Sequence, residues 1–257
     1  MKKSIVIILA LFAILFAGCA PAVKRAEEIK ERGVLRVGVK SDVLSFGYLN
    51  PATGEYEGIE IEIARDMAKA LTGDENAVQF IPVTALTRDM LLANREVDII
   101  IATFTITEER KKSYNFSDPY YTDEIGFLVR ADSGISVFED IGGKTVGVTH
   151  SSTANTGLSG DVLGVDYTLK SFASYPEIKN ALKTGAVDVF AADKSILFGY
   201  LDGETVLLEK GILPQPYGIA TTLEDKAFSK FINDHLQKMK SGGTLDAILE
   251  KWSLKKA

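Results

Sequence analysis

A single cysteine, Cys19, stands in the whole chain, so no disulfide can form within it. Histidine is nearly as scarce. His150 and His235 lie far apart, and no spacing suited to a metal or to a Ser/His/Asp nucleophile stands out. No catalytic set, metal or cofactor is therefore expected. Positive charge is in the minority, with 29 Lys and Arg against 35 Asp and Glu for a net charge of -6, and basic blocks are missing. That balance argues against nucleic acid as a partner. The chain also lacks an apolar run of the ~20 residues that a membrane span needs. The run from Ile5 to Ala17 is shorter, follows Lys2 and Lys3, and ends in small residues, which is the pattern of a secretory signal.

What is present is an ordinary globular composition, 46% hydrophobic and 25% charged over 257 residues, enough for one large or two modest domains. Strand patterns at Leu35–Val39, Val78–Val83 and Ile99–Ile101 alternate with helical spacing at Ile59, Ile63, Met67 and Leu71 and with a short helix running through Asn94. The second half repeats the rhythm, with strands at Phe127–Val129, Thr145–Val148, Val187–Ala191 and Tyr217–Thr221. Tyr175-Pro176 opens a helix, and two helices close the chain around Phe228–Met239 and Leu245–Trp252. Such alternation predicts a parallel α/β sheet, in which ligands sit beyond the C-terminal ends of strands. Lys40, Arg88 and Thr103 all fall just after a predicted strand, on one edge.

The chain is organised around the stretch from Ile99 to Arg110. A β-branched strand breaks into hydroxyl residues and then reaches Thr107 and Glu108 at a plausible helix start, with Thr105 and Glu108 at capping-box spacing. Exposed amides, a helix N-terminus and the Arg110 guanidinium would together grip a carboxylate. An ordinary strand–loop–helix connection with a surface arginine fits the stretch as well.

Asp98, the segment Ala102-Thr103-Phe104-Thr105-Ile106-Thr107-Glu108-Glu109-Arg110, and Phe116-Ser117-Asp118-Pro119-Tyr120-Tyr121 resemble the extracellular amino-acid-binding proteins of ABC importers, solute-binding protein family three. The likeness runs from Gly33 to Leu254 and is greatest to the aspartate/glutamate-binding members. It implies an α/β, two-lobed periplasmic-binding-protein (type II) fold with the ligand cleft between lobes that close by a hinge motion. The implied divisions are a lipoprotein signal peptide over 1–18, a tether and the start of lobe one over 19–32, lobe one over 33–124, lobe two over 125–215 and a return segment over 216–257. Ala20–Ala26 would be the tether. Cys19 after Phe16-Ala17-Gly18 resembles a lipoprotein processing site, where the cysteine is lipidated and anchors the protein in the periplasm or on the outer face of the cell membrane. A plain cleaved signal and an uncleaved anchor are the other readings.

An α-amino acid carries a carboxylate and an ammonium, and burying either without a partner is costly. The resemblance assigns the carboxylate to Arg110, Thr103 and Thr105 with Thr153 and its neighbour Ser152, and the ammonium to Asp193. Taken alone, Ser152-Thr153 reads as a helix cap and Asp193 as a solvated or capping acid. Arg110 and Asp193 balance a zwitterion. Lys40 and Arg88 are then surplus cations, which favours aspartate or glutamate unless they point to solvent or pair with Asp42 or Asp89. Tyr175 aligns with a position that can reach the ligand side chain. Phe46, Tyr48 and Phe104 could wall the pocket, and His150 lies near the predicted cleft. The expected function is that of a monomeric substrate-binding lipoprotein delivering its amino acid to an ABC permease. The alternatives are a binder of a neutral polar amino acid such as glutamine, a related dehydratase acting on a prephenate-like substrate, or a receptor's sensing domain. The end at Lys255-Lys256-Ala257, with no second membrane segment, disfavours the last.

Overall fold

The alternation of strands and helices places two sheets side by side in a computed structural model that describes residues 24–160 and 162–252. The signal segment and Cys19 lie outside the described residues. The tether expected over 20–26 is shortened by helix α1 (Lys24–Arg32), whose Ile29 is fully buried and whose Arg25 pairs with Asp98. Strand β1 (Leu35–Val39) follows, then a small antiparallel sheet of β2 (Asp42–Val43), β3 (Gly47–Leu49) and β4 (Tyr56–Glu57). Helix α2 (Ile59–Thr72) buries Ile59, Ile63, Met67 and Leu71 on the core side, each worth about 1.5–3 kcal/mol against exposure. Its entry needs Gly58, at φ 125°, where a Cβ would lie 2.2 Å from the Phe46 carbonyl oxygen. It ends at Gly73 in the left-handed conformation. Strand β5 (Val78–Pro82), helix α3 (Arg88–Ala93), β6 (Ile99–Ile101) and β7 (Tyr114–Phe116) complete this half before β8 (Tyr121–Arg130) leaves it.

The second half holds β9 (Thr145–Thr149), α4 (Thr153–Gly157), β10 (Thr168–Phe172), α5 (Tyr175–Lys183), β11 (Val189–Asp193), α6 (Lys194–Phe198), β12 (Thr205–Leu207) and β13 (Ile212–Tyr217). Strand β14 (Ala220–Thr222), α7 (Lys226–Ser241) and α8 (Thr244–Lys251) follow. The first sheet has the order β5-β1-β6-β14-β7, the second β10-β9-β11-β8-β12, with β13 also on β8. Both are mixed rather than wholly parallel. β5, β1 and β6 run parallel, as do β10, β9 and β11, but β14 enters antiparallel to β6 and β8 antiparallel to β11. The cause is the chain path: β8 and β13 cross between the halves as an antiparallel pair, with Tyr121 opposite Tyr217, and β14 returns the chain to the first sheet. Among the described residues no helix is long and apolar enough to cross a membrane.

Candidate binding site

The segments that follow β5 and β6 face those that end or follow β9 and β11 across a narrow cavity. The first half contributes Arg88, Thr103, Thr105 and Arg110 to its wall. The second contributes Ser152, Thr153, Tyr175 and Asp193, and Ala85, Ala154 and Ala192 complete the lining.

The local geometry differs from the sequence reading in instructive ways. The expected helix start at Thr107 is a turn followed by one 3-10 turn at Arg110–Lys112. In place of the expected Thr105–Glu108 capping box, Thr107 Oγ1 accepts the Arg110 amide at 3.1 Å. Thr105 is diverted because its backbone bridges Tyr217 and its hydroxyl donates to Gln215 Oε1 at 2.9 Å, both across the crossing strands. Arg110 is fixed from both halves. Nη1 donates to the Thr105 carbonyl at 2.8 Å and Nη2 to the Ser151 carbonyl at 3.2 Å. Burial and the nearby Arg88 cation lower its pKa to about 9.

Arg88, 5% exposed, lies 3.7 Å from the centroid of the Phe104 ring. Among the described residues its Nε has no hydrogen-bond partner, its Nη1 makes a long 3.5 Å contact to the Ala102 carbonyl, and its ion pair is a loose 3.9 Å approach to the exposed Asp89. Asp193 ends β11 and accepts a 2.6 Å hydrogen bond from the Tyr217 hydroxyl. Burial pushes its carboxyl up to about 7, against the pull of that bond. Ser152 caps α4, donating to the Thr149 carbonyl at 2.7 Å and accepting from the Asn155 amide at 3.1 Å.

Lys40 stands apart from the other cations. It is buried but does not line the cavity. It pairs with Asp42 at 3.1 Å and lies 4.9 Å from the centroid of Tyr175, behind that ring. Phe46 is no pocket wall, because its ring is fully buried against Tyr121 and Tyr217. Tyr48 belongs to the small antiparallel sheet, away from the lining. Phe104 is a platform beneath the cavity, holding both Arg88 and Arg110 against its face. His150 is exposed.

Two residues of this neighbourhood escape the sequence reading. Glu60 is fully buried in the first turn of α2, where it accepts from the Thr103 amide and the Tyr120 hydroxyl, each at 2.5 Å. It thereby pins Thr103, whose φ of 45° is strained for a β-branched residue. Burial pushes Glu60 up to about 7. Its place on an otherwise apolar helix face was the available signal. Tyr217, the other, left none, since its role depends on contacts from distant segments.

The family model described as bacterial extracellular solute-binding proteins, family 3, matches residues 35–255. The ABC transporter glutamine-binding protein GlnH of Bacillus subtilis (strain 168) is 40% identical over 227 residues, which span 87% of this chain and 82% of that protein. The glutamine-binding protein of Geobacillus stearothermophilus is 39% identical over 211 residues, 81% of this chain and 80% of that one. Among solved structures, the solute receptor for L-cysteine of Neisseria gonorrhoeae superposes with a TM-score of 0.82 at 28% identity, covering 89% of this chain and 93% of that chain.

Proposed function

The chain belongs to the bacterial extracellular solute-binding proteins, family 3, and on that premise we propose that it captures a free acidic amino acid, aspartate or glutamate, outside the cytoplasm and hands it to an ABC permease. Lobe one is assigned to 33–124 with the return segment 216–257, and lobe two to 125–215. A lipid on Cys19 anchors the protein. Arg110 with Thr103, Thr105 and Thr153 takes the α-carboxylate, and Asp193 takes the ammonium. No reaction follows capture, and the lobes reopen to release the same molecule.

Arg88 carries the choice of an acidic ligand. It is a buried cation in the cavity wall whose Nε is unpartnered among the described residues and whose ion pair to Asp89 is loose, with Asp193 across the cavity. Arg110 and Asp193 together match a neutral zwitterion, so Arg88 is left to meet a negative side chain. Lys40, paired with Asp42, adds only a longer-range positive potential. Glutamine is the second reading, favoured by the two relatives named for binding it.

Titration calorimetry decides between them, on protein beginning after Cys19, stripped of ligand by unfolding and refolding. The panel is aspartate, glutamate, asparagine, glutamine, arginine and histidine. Binding of the acidic pair in preference to the amides is expected, and Arg88→Gln should weaken glutamate by about 2–5 kcal/mol while costing glutamine less. Equal losses for the two ligands sink the Arg88 assignment. Glutamine binding more tightly than glutamate establishes the second reading. No binding from a folded protein turns attention to turnover of a prephenate-like acid.

A further inference from the structure

Asp193 is not an isolated carboxylate. The Tyr217 hydroxyl that donates to it at 2.6 Å also lies 3.2 Å from Asp123 Oδ2 and 3.3 Å from Ser195 Oγ. Tyr217 is fully buried at the end of β13, and Asp123 lies on β8 opposite Gln215, two residues along from Tyr217's own partner Tyr121, so the two crossing strands each send one group to the site. Asp123 is itself held. Its Oδ1 accepts the Glu124 amide and its Oδ2 the Ser195 amide, each at 2.8 Å, which ties the start of α6 to β8. A phenol has one proton and can donate to one carboxylate at a time. The shorter contact goes to Asp193.

We propose that Tyr217 is a positioning residue for amino-acid capture, its hydroxyl held by the crossing strands so that it aims the Asp193 carboxylate at the ligand's ammonium. The proposal rests on the reading of Asp193 as the ammonium partner. The groups that face Asp193 are Tyr217 from β13, Asp123 from β8, Tyr175 from α5, Arg88 from α3 and Arg110 from the 3-10 turn, and Ser195 from α6 meets the Tyr217 hydroxyl. The phenol bond and the two arginines favour the charged form of Asp193, whereas Asp123 opposes it. Tyr217→Phe keeps the ring packing on Phe46, Tyr120 and Tyr121 and removes only the donor.

The test is calorimetric affinity from pH 5 to 9 for whichever of L-aspartate, L-glutamate and L-glutamine the unaltered protein binds most tightly. Tyr217→Phe is expected to weaken binding near pH 7 by about tenfold, the scale of one hydrogen bond to a charged group. It should also move the acid-side midpoint of the affinity profile upward. Asp123→Asn, which removes the opposing charge and keeps an acceptor for the Ser195 amide, should move that midpoint downward. Glu60 is held by the Thr103 amide and the Tyr120 hydroxyl, which neither variant alters, so the differences between the three proteins are read at Asp193. A loss of packing alone would lower affinity without moving the midpoint. A midpoint unmoved by Tyr217→Phe, or moved in the same direction by both variants, overturns the proposal. If Tyr217→Phe does not fold, Asp123→Asn decides: a downward movement supports the proposal, and none, or an upward one, overturns it. Asp193→Asn separates the underlying reading, because unchanged affinity there removes Asp193 from the ammonium site whatever Tyr217 does.

Discussion

Arg110 is the side chain on which the proposed capture depends most. Its guanidinium is clamped by carbonyls from both halves, Thr105 and Ser151, and shares the face of Phe104 with a second cation. Carbonyls orient it but do not neutralise it, and burial beside Arg88 disfavours its charge. A bidentate carboxylate relieves both costs at once. Arg110→Ala is therefore expected to cost about 2–5 kcal/mol of binding, because the ligand carboxylate is left desolvated without a partner. Arg110→Lys should recover only part, since an ammonium cannot present the planar fork. Calorimetry with the preferred amino acid reads both, and unchanged affinity in Arg110→Ala moves the carboxylate site elsewhere.

At the scale of elements, α1 is fastened at the sheet edge away from the cavity. The fully buried Asp98, just before β6, accepts from Arg25 at 2.5 Å, from Arg32, and from the Arg36 amide and guanidinium at 2.8 and 3.2 Å. Asp98→Ala leaves Arg25, itself 7% exposed, with only the half-exposed Glu28 as a carboxylate partner, at 3.1 Å, and should lower unfolding stability in urea by about 3 kcal/mol. Ligand affinity should hold, because the cluster sits at the N-terminal ends of β1 and β6. An unchanged urea midpoint would show that α1 is not fastened this way. What the sequence made legible follows the same division. The apolar spacing of Ile59, Ile63, Met67 and Leu71 and the Ile99–Ile101 run are local signals, and both elements stand where expected. The strand read as continuous from Tyr217 to Thr221 is instead broken at Gly218, where a Cβ would lie 2.8 Å from Ile106. The placement of Arg88, Thr103 and Asp193 at strand ends was readable from pattern. Glu60 and Tyr217 were not, since their partners lie far along the chain and the fold alone brings them together.

For the whole molecule, the site gathers charges that burial disfavours and that the proposed ligand would relieve. Two buried carboxyls, Asp193 and Glu60, are each pushed up to about 7 in the folded protein, from ordinary values of 3.8 and 4.5. Between those limits the folded state holds more protons than the unfolded one, so unfolding free energy falls as pH rises through about 4 to 7. The stability is fully present below that window and lost above it. Carboxyls held low, such as Asp202 at about 2, titrate beneath it and do not mask the effect. Ligand-free protein should therefore melt at a higher temperature near pH 5 than near pH 8, by a few kcal/mol of stability at most. Glu60→Gln keeps an acceptor for the Thr103 amide and the Tyr120 hydroxyl, and it should flatten part of that slope. Saturating amino acid should remove the Asp193 part by supplying an ammonium at neutral pH. Calorimetric melts across pH 5–8, with and without ligand, carry the test. A ligand-free melting temperature that is flat or rises over that range means that burial does not raise these carboxyls, and the ligand's ammonium then has no strained charge at Asp193 to relieve.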